Sequence, residues 1–156
     1  MPNNVYSEIH LHIIWHTKHG ALIEPAFEAR LHQFIRGYAA QTAGVRVHAV
    51  NGTADHIHLA VRIPPTLNTS EWLGKLKGAS THHVNHRLIN RRTFGWQLGY
   101  GVLSFGTKDL PWVVEYVQRQ KEHHAAGTAQ ERLERTVSPL KRAEEERGRA
   151  AFGYQP

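Results

Sequence analysis

The feature that most restricts the fold is the strict alternation of apolar and polar residues in two short segments. In "SEIHLHIIWHT", residues 7–17, one side carries Ile9, Leu11, Ile13 and Trp15. The other side of that segment carries His10, His12 and His16. In "DHIHLAVRI", residues 55–63, the apolar side carries Ile57, Leu59, Val61 and Ile63. A period of two predicts strands with one buried face, so both strands present histidines on the face opposite the core.

The other segments give the order of the elements. Helical spacing predicts helices over residues 23–44, 67–90 and 109–126. Alternation predicts further strands over residues 45–53 and 100–105, with Asn51-Gly52 as the hairpin turn into the histidine strand. Ser70 or Thr69 is the expected cap of the second helix, and Gly127 is expected to close the third.

Strand, helix, strand, strand, helix, strand is the order of a split βαβ fold. We therefore predict an α+β, ferredoxin-like domain: an antiparallel sheet of four to five strands, with two helices on one face. A third helix, which bears Tyr116, is added at the carboxyl end. A sheet with helices on one face leaves the other face open, so the histidine face is expected to carry the function.

Composition limits the class of protein. The length of 156 residues suits one domain, predicted over residues 1–127, and residues 128–156 read as a charged, partly helical or flexible tail. A net charge of +6 favours a polyanionic partner such as nucleic acid. The absence of cysteine excludes thiolate zinc sites and cysteine nucleophiles. No apolar run approaches the ~20 residues that cross a bilayer, so we expect a soluble, cytoplasmic protein without membrane contact.

Two motifs carry candidate chemistry. His56 and His58 are two apart on one strand, ~6.5–7 Å along the chain, and two imidazoles at that spacing can share a metal ion if a further ligand is added. A chance pair on an exposed strand remains the alternative. In "WVVEYVQRQKEHH", Tyr116 and Gln120 are four residues apart on one predicted helix face. That face is free for a site if packing is supplied by Val113, Val114 and Val117.

Several segments together resemble the single-tyrosine HUH transposases of simple bacterial insertion sequences and their REP-associated relatives. The matching segments are "LHIIWHTKHG", "DHIHLAVRIPP", "EWLGKLKGASTHHVN", "WQLGYGVLS" and "EYVQRQKEHH". They follow one another in the family's order and span about residues 5–126.

The resemblance implies a metal-dependent enzyme that cleaves and rejoins single-stranded DNA at hairpin-type ends. It makes Tyr116 the nucleophile, which would form a 5′-phosphotyrosine link. The ligands of one Mg²⁺ or Mn²⁺ would be His56, His58 and Gln120. It also implies a homodimer in which the tyrosine helix can complete the partner's site, with Gly106 as a plausible hinge.

Residues around this centre are assigned supporting roles. Candidate DNA contacts are Arg62, Lys75, Lys77, Arg87, Arg91, Arg92 and Lys121. For each of them, a solvated surface role remains open. Asp55 is expected to orient a histidine rather than bind metal, and His123 and His124 are expected to lie behind the ligands. His10 and His12 are interpreted as structural or DNA-facing.

Two other functions remain open. A non-catalytic ferredoxin-like nucleic-acid binder would stack bases on aromatic residues of the sheet, but histidines occupy that face and Trp15 falls on the buried side. HUH endonucleases of the replication-initiator or relaxase type usually have three metal-binding histidines, and relaxases have a tyrosine near the amino terminus. Tyr6 lies there, but it lacks the helical context of Tyr116.

Overall fold

The fold is an antiparallel sheet with helices on both faces. It was obtained as a computed structural model, which describes residues 4–136 and Arg147. The strands are β1 (Ile9–His16), β2 (Arg46–Gly52), β3 (His56–Ile63) and β4 (Gly101–Phe105), in the spatial order β2-β3-β1-β4. Both alternating segments therefore lie at the centre of the sheet, and the predicted ferredoxin-like α+β fold is confirmed, with four strands.

One face of the sheet packs against two long helices, as predicted. These are α1 (Pro25–Gln41) and α2 (Thr69–His83). The apolar sides of the central strands meet them in one core, in which Trp15 and Leu59 are fully buried. Pro25 stands in the first turn of α1, where its missing N–H costs nothing. After α1 the chain turns at Gly44, whose φ of +79° favours glycine.

The second face of the sheet carries the histidines. The prediction that this face is open is wrong, because a helix covers part of it. Residues opposite each other in an antiparallel pair share a face, and β1 pairs His12 with Ala60 and His16 with His56. The helix α3 (Leu110–Gln118) packs on this face through a small cluster of Ala49, Ala60, Val113 and Val117. The two alanines leave room for a helix to approach. Alternation of apolar and polar residues does not depend on side-chain size, so it gave no sign of this helix.

Other differences from the prediction are local. The cap of α2 is Asn68, whose side chain accepts a hydrogen bond from the Glu71 N–H at 3.2 Å, rather than Ser70 or Thr69. This helix ends at His83 and continues as a π-helical turn, Val84–Leu88. Asn51 and Gly52 pair with β3 inside the ladder, so the hairpin turn lies at residues 53–55. Each difference shifts a boundary by one to several residues, which local patterns resolve poorly.

The predicted third helix is broken. The backbone of Arg119, with φ −105° and ψ 26°, leaves the helical region and separates α3 from α4 (Gln120–Ala126). Gly127 closes α4 in the left-handed conformation, as predicted. Because of the break, Tyr116 and Gln120 belong to two consecutive helices. A single non-helical residue leaves no trace in hydrophobic spacing.

The first part of the predicted tail lies against the sheet. A short helix, α5 (Glu131–Glu134), contributes Leu133, which is buried. The rest of the predicted tail, residues 137–146 and 148–156, lies outside the described residues. Among the helices described for residues 4–136, none combines the length and apolarity that crossing a bilayer requires.

The hairpin that carries the histidine strand depends on a close approach at Gly52. A Cβ there would stand 2.1 Å from the His56 carbonyl oxygen. We expect Gly52→Ala to lower the free energy of unfolding by about 1–3 kcal/mol. As a control, Gly37→Ala lies inside α1 with nothing within 4 Å of the new atom, and it should raise stability by about 0.5–1 kcal/mol. Urea denaturation measures both, and equal stability of the two variants would contradict this hairpin geometry.

Candidate active site

His56 and His58 lie side by side on β3 and are almost completely buried, with exposures of 3% and 0%. Their rings are 5.0 Å apart, centroid to centroid. The Nδ1 atom of His56 lies 2.7 Å from Asp55 Oδ1 and 2.9 Å from Thr53 Oγ1. Asp55 thus sits in the turn before the strand, where it fixes the orientation of the His56 ring and leaves Nε2 facing inward.

His58 is held from behind by the neighbouring strand. Its Nδ1 lies 2.7 Å from Nε2 of His12 on β1. Burial lowers the pKa of His58 to about 4 and the pKa of His12 to about 3. Both rings are therefore neutral at physiological pH, the form in which imidazole ligates a metal. His10, also buried, contacts His48 and Thr107 instead.

Tyr116 lies over this pair. Its ring stacks with those of Trp112 and His123, at centroid distances of 5.7 and 4.8 Å. The hydroxyl donates to Glu134 Oε1 at 2.6 Å and accepts from the Gln130 N–H at 2.9 Å. Burial, and then the hydrogen bond to Glu134, raise the pKa of Tyr116 to about 12. In the resting protein the phenol is therefore firmly protonated.

Two buried atoms in this region have no hydrogen-bond partner among the described residues: His56 Nε2 and Gln120 Oε1. Gln120 is fully buried, and its Nε2 donates to the Tyr116 carbonyl at 3.2 Å. A buried acceptor without a partner is costly, about 1–3 kcal/mol. Two such atoms on residues expected to bind one ion fit a metal site, because imidazole nitrogen and amide oxygen both suit Mn²⁺ and the oxygen suits Mg²⁺.

Glu134 is the residue that sequence reasoning missed. Its Oε2 lies 3.1 Å from His58 Nε2 and 3.6 Å from His56 Nε2, while Oε1 lies 3.3 Å from His124 Nε2. Burial raises the pKa of this carboxyl, but the hydrogen bonds with His58 and Tyr116 outweigh burial and lower it to about 2. Only the apolar Leu133 within "ERLER" hinted at docking, and nothing in the pattern pointed the carboxylate at the site.

Two of the predicted DNA contacts, Arg62 on β3 and Lys121 on α4, are engaged within the protein. The Arg62 guanidinium is half-buried and donates to the Ser7 carbonyl. Lys121 Nζ on α4 lies 2.5 Å from Glu28 Oε1 and 3.1 Å from the Gly52 carbonyl. Arg62 is half-buried, and Lys121 is exposed but bonded to Glu28 and Gly52, so a DNA contact by either would have to compete with these bonds.

The other predicted DNA contacts lie on or after α2, on the far side of the sheet from the histidines. Lys75 pairs with Glu71, and Lys77 donates to the Gln97 and Gly99 carbonyls at 2.6 and 3.0 Å. Three further predicted DNA contacts follow α2 in the chain and are exposed: Arg87, Arg91 and Arg92. These positions form a surface separate from the candidate active site.

Two arginines that the sequence analysis did not select lie closer to the site. A cavity of about 330 Å³ beside β4 is lined by His12, Tyr100, Arg132 and Arg135, among others. A second, of about 540 Å³, is lined by Trp112 and again by Arg132. Both cavities are lined by Arg132 and Leu133 of α5 and together make a groove along that helix; Arg135 lines the first part, and Asp109 lines the second.

The fold and the site together define a class: a small α+β protein with a histidine–tyrosine centre on its sheet. Residues 5–120 match the family model described as transposase, IS200 like. The chain belongs to this family of IS200-like transposases, which confirms the resemblance seen in the sequence.

Curated relatives and solved structures agree with this. The transposases for insertion sequence element IS200 of Salmonella typhimurium and Salmonella typhi are each 32% identical over 89 residues, 53% of this chain. The chain spans 57% of the length of these relatives. A candidate transposase of Deinococcus radiodurans has the same fold, with a TM-score of 0.58 and 22% identity over 77% of this chain and 96% of its own. A REP-associated tyrosine transposase bound to a REP hairpin has the same fold, with a TM-score of 0.56 and 14% identity. The match covers 83% of this chain and 75% of that one.

The buried neutral histidines predict how stability depends on pH. His12 and His58 have folded-state pKa values below the ordinary 6.5, so the unfolded chain binds more protons between those values. In metal-free protein, the free energy of unfolding should be highest above pH 6.5, where both rings are neutral in the folded and unfolded states. It should fall towards pH 4, by at most about 1.4 kcal/mol per pH unit for each ring. Urea titrations with EDTA at several pH values measure the slope.

A matched pair of variants assigns that slope. His12→Gln removes one of the two buried rings and should flatten the pH dependence, whereas His19→Gln, at an exposed position, should leave it unchanged. Stability that stays constant from pH 7 to pH 5 in the unmodified protein would contradict a neutral buried pair.

Proposed function

We propose that the protein is a metal-dependent DNA strand transferase that cleaves and rejoins single-stranded DNA through a 5′-phosphotyrosine at Tyr116. One observation carries the proposal. The Tyr116 hydroxyl and His58 Nε2 contact the two oxygens of the Glu134 carboxylate, at 2.6 and 3.1 Å. A nucleophile and the expected ligands are thus within reach of one small anionic group. This arrangement supports a catalytic function over a non-catalytic binder.

The ion would be held by His56, His58 and Gln120, with Mg²⁺ or Mn²⁺ as the candidates. When bound, it would polarise an oxygen of the scissile phosphate and stabilise the charge on the leaving 3′ oxygen. Asp55 and His12 hold the two imidazoles from behind, at 2.7 Å each, which limits ring rotation. The unpartnered His56 Nε2 and Gln120 Oε1 support the same assignment.

The reaction itself is an exchange of ester bonds at phosphorus. The Tyr116 oxygen would form a bond to phosphorus as the bond to the 3′ oxygen breaks. The 3′ oxygen takes up a proton and becomes a free 3′-OH, while the phosphate at the 5′ end of the other fragment stays joined to Tyr116. The phenol proton, held by Glu134 Oε1 in the resting protein, has to leave as this bond forms. A 3′-OH can reverse the reaction without an external energy source, because the phosphoester bond is conserved.

DNA would contact two surfaces. The groove with Arg132 runs beside α5, the helix whose Glu134 binds the Tyr116 hydroxyl, and would suit the single strand that is cut. The arginines and lysines after and on α2 suit the backbone of a hairpin on the other layer, and the solved relative bound to a REP hairpin makes that substrate class the natural one to test.

A homodimer remains part of the proposal, as does exchange of the tyrosine helix at Gly106. Within one chain, Tyr116 already lies beside its own histidine pair, with ring centroids of Tyr116 and His58 6.0 Å apart. We therefore favour the arrangement in which each resting chain holds its own tyrosine.

The central prediction concerns a covalent adduct. Single-stranded DNA with hairpin ends taken from the gene's flanks, labelled at its 5′ or 3′ end, is incubated with protein and Mn²⁺ or Mg²⁺. We expect the 3′-labelled DNA to give an adduct that resists denaturing gels, because Tyr116 becomes covalently joined to the new 5′ end at the break. The 5′-labelled DNA should give a shortened, protein-free fragment that ends in a 3′-OH. Tyr116→Phe should abolish the adduct, and His56→Ala should reduce it by about a hundredfold or more.

Tyr38→Phe is the matched control, since Tyr38 lies on α1, partly buried against the core on the other face of the sheet. It should form the adduct normally. An adduct that persists in Tyr116→Phe would remove the nucleophile assignment. Tight, metal-independent binding without any adduct would favour the non-catalytic nucleic-acid binder.

A second prediction separates the groove from the general charge of the protein. Arg132→Ala should weaken binding to an unpaired oligonucleotide and lower the slope of log affinity against log salt by roughly one, the value of one lost phosphate contact. Arg30→Ala, exposed on α1, removes the same charge from the other layer and should leave the slope unchanged. Fluorescence anisotropy at several salt concentrations measures both, and equal slopes would contradict the groove.

A further inference from the structure

The carboxylate of Glu134 lies among the expected metal ligands. A donor atom from each of His56, His58, His124 and Glu134 falls within 4.8 Å of all the others. The Glu134 side chain is 17% exposed, and α5 brings it in from outside the domain that the sequence predicted. The assignment of His56, His58 and Gln120 does not account for an acidic side chain at this position.

The spacing of these atoms is that of ligands around one ion. An octahedral Mg²⁺ lies about 2.0–2.1 Å from its ligands, so adjacent ligand atoms stand about 3 Å apart. Glu134 Oε2 is 3.1 Å from His58 Nε2 and 3.6 Å from His56 Nε2, close to that value. His56 Nε2 makes no hydrogen bond within residues 4–136, although the carboxylate is its near neighbour. Glu134 therefore makes a hydrogen bond to His58 but none to His56, so hydrogen bonding alone does not explain its position between the two rings.

We propose that Glu134 is a fourth protein ligand of the metal ion in the resting, DNA-free protein. The proposal rests on the proposed function, because the ion is the one assigned to His56, His58 and Gln120. Oε2 would face the ion, while Oε1 retains the Tyr116 hydroxyl. Two imidazoles and an amide are neutral donors, and a carboxylate adds the negative charge and the hard oxygen that Mg²⁺ and Mn²⁺ prefer.

The same position defines what DNA must do on arrival. Tyr116 is 2% exposed and its hydroxyl is occupied by Glu134 and Gln130, so a phosphate cannot reach it while α5 is in place. A scissile phosphate presents the same chemistry as the carboxylate, an anionic oxygen. It would therefore replace Glu134 both on the ion and beside Tyr116. Glu134 holds the metal in the absence of substrate and gives up its place to the phosphate.

The test is the affinity of the full chain for Mn²⁺ alone, measured without DNA by calorimetry and by the EPR signal of free ion. We expect Glu134→Gln to weaken binding by about tenfold or more, the loss that even an outer partner of a ligand causes. The matched control is Glu131→Gln, on the same short helix, which removes an equal charge from an exposed side chain paired with Arg135 at 3.0 Å. It should leave the affinity unchanged.

A second variant moves the carboxylate without changing it. A Cβ at Gly101 would stand 1.9 Å from the Arg135 carbonyl oxygen, so Gly101→Ala should push the end of α5 off the sheet. It should weaken Mn²⁺ binding as Glu134→Gln does. Thermal unfolding of each metal-free variant shows that the domain itself remains folded.

The outcomes separate this proposal from the one on which it rests. If His56→Ala abolishes Mn²⁺ binding while Glu134→Gln binds as tightly as the unmodified chain or more tightly, the metal site stands and Glu134 is not its ligand. If His56→Ala leaves binding unchanged, the metal site of the proposed function is wrong. Loss of affinity in His56→Ala, Glu134→Gln and Gly101→Ala, but not in Glu131→Gln, establishes the fourth ligand.

Discussion

The contact between α3 and two alanines of the sheet sets the position of Tyr116 relative to the histidine pair. Ala49 and Ala60 leave a shallow area into which Val113 and Val117 pack, all four being nearly or fully buried. Larger side chains there would lift the helix, because packed interiors adjust little to added volume. With the helix in this place, the Tyr116 ring comes within 6.0 Å of His58, centroid to centroid. An apolar contact of modest area thus aligns the nucleophile with the ligands.

Burying so many polar groups requires that each find a partner, and the protein solves this with a chain of hydrogen bonds. It runs from Tyr116 through Glu134 to His58 and on to His12, with links of 2.6, 3.1 and 2.7 Å. Such a network is favourable only while its members are satisfied. The two atoms left over, His56 Nε2 and Gln120 Oε1, are on residues for which a ligand role is proposed. The cost of leaving them unpaired is consistent with a site built to receive an ion.

The sequence was informative where a feature repeats or follows a motif, and uninformative where it depends on one residue. Alternation identified β1 and β3, and the motifs pointed to His56, His58 and Tyr116, which the structure brings together. The break at Arg119 was invisible, because one non-helical residue does not disturb the spacing on either side of it. Glu134 was missed because its role comes from tertiary docking of α5, to which its charged neighbours gave no sign.

The pairing of His12 with His58 has a property that a carboxylate partner would lack. In the metal-free protein, His58 Nε2–H donates to Glu134, so its Nδ1 must accept from His12 Nε2–H. If an ion bound at His58 Nε2, as proposed, this hydrogen bond would reverse, because the His58 proton would then reside on Nδ1 and be donated to His12. A neutral imidazole can act as donor or acceptor at Nε2, whereas a carboxylate can only accept. Burial lowers the pKa of His12 to about 3 and so keeps that ring neutral. The His12–His58 hydrogen bond could therefore persist both without an ion and with one at His58 Nε2.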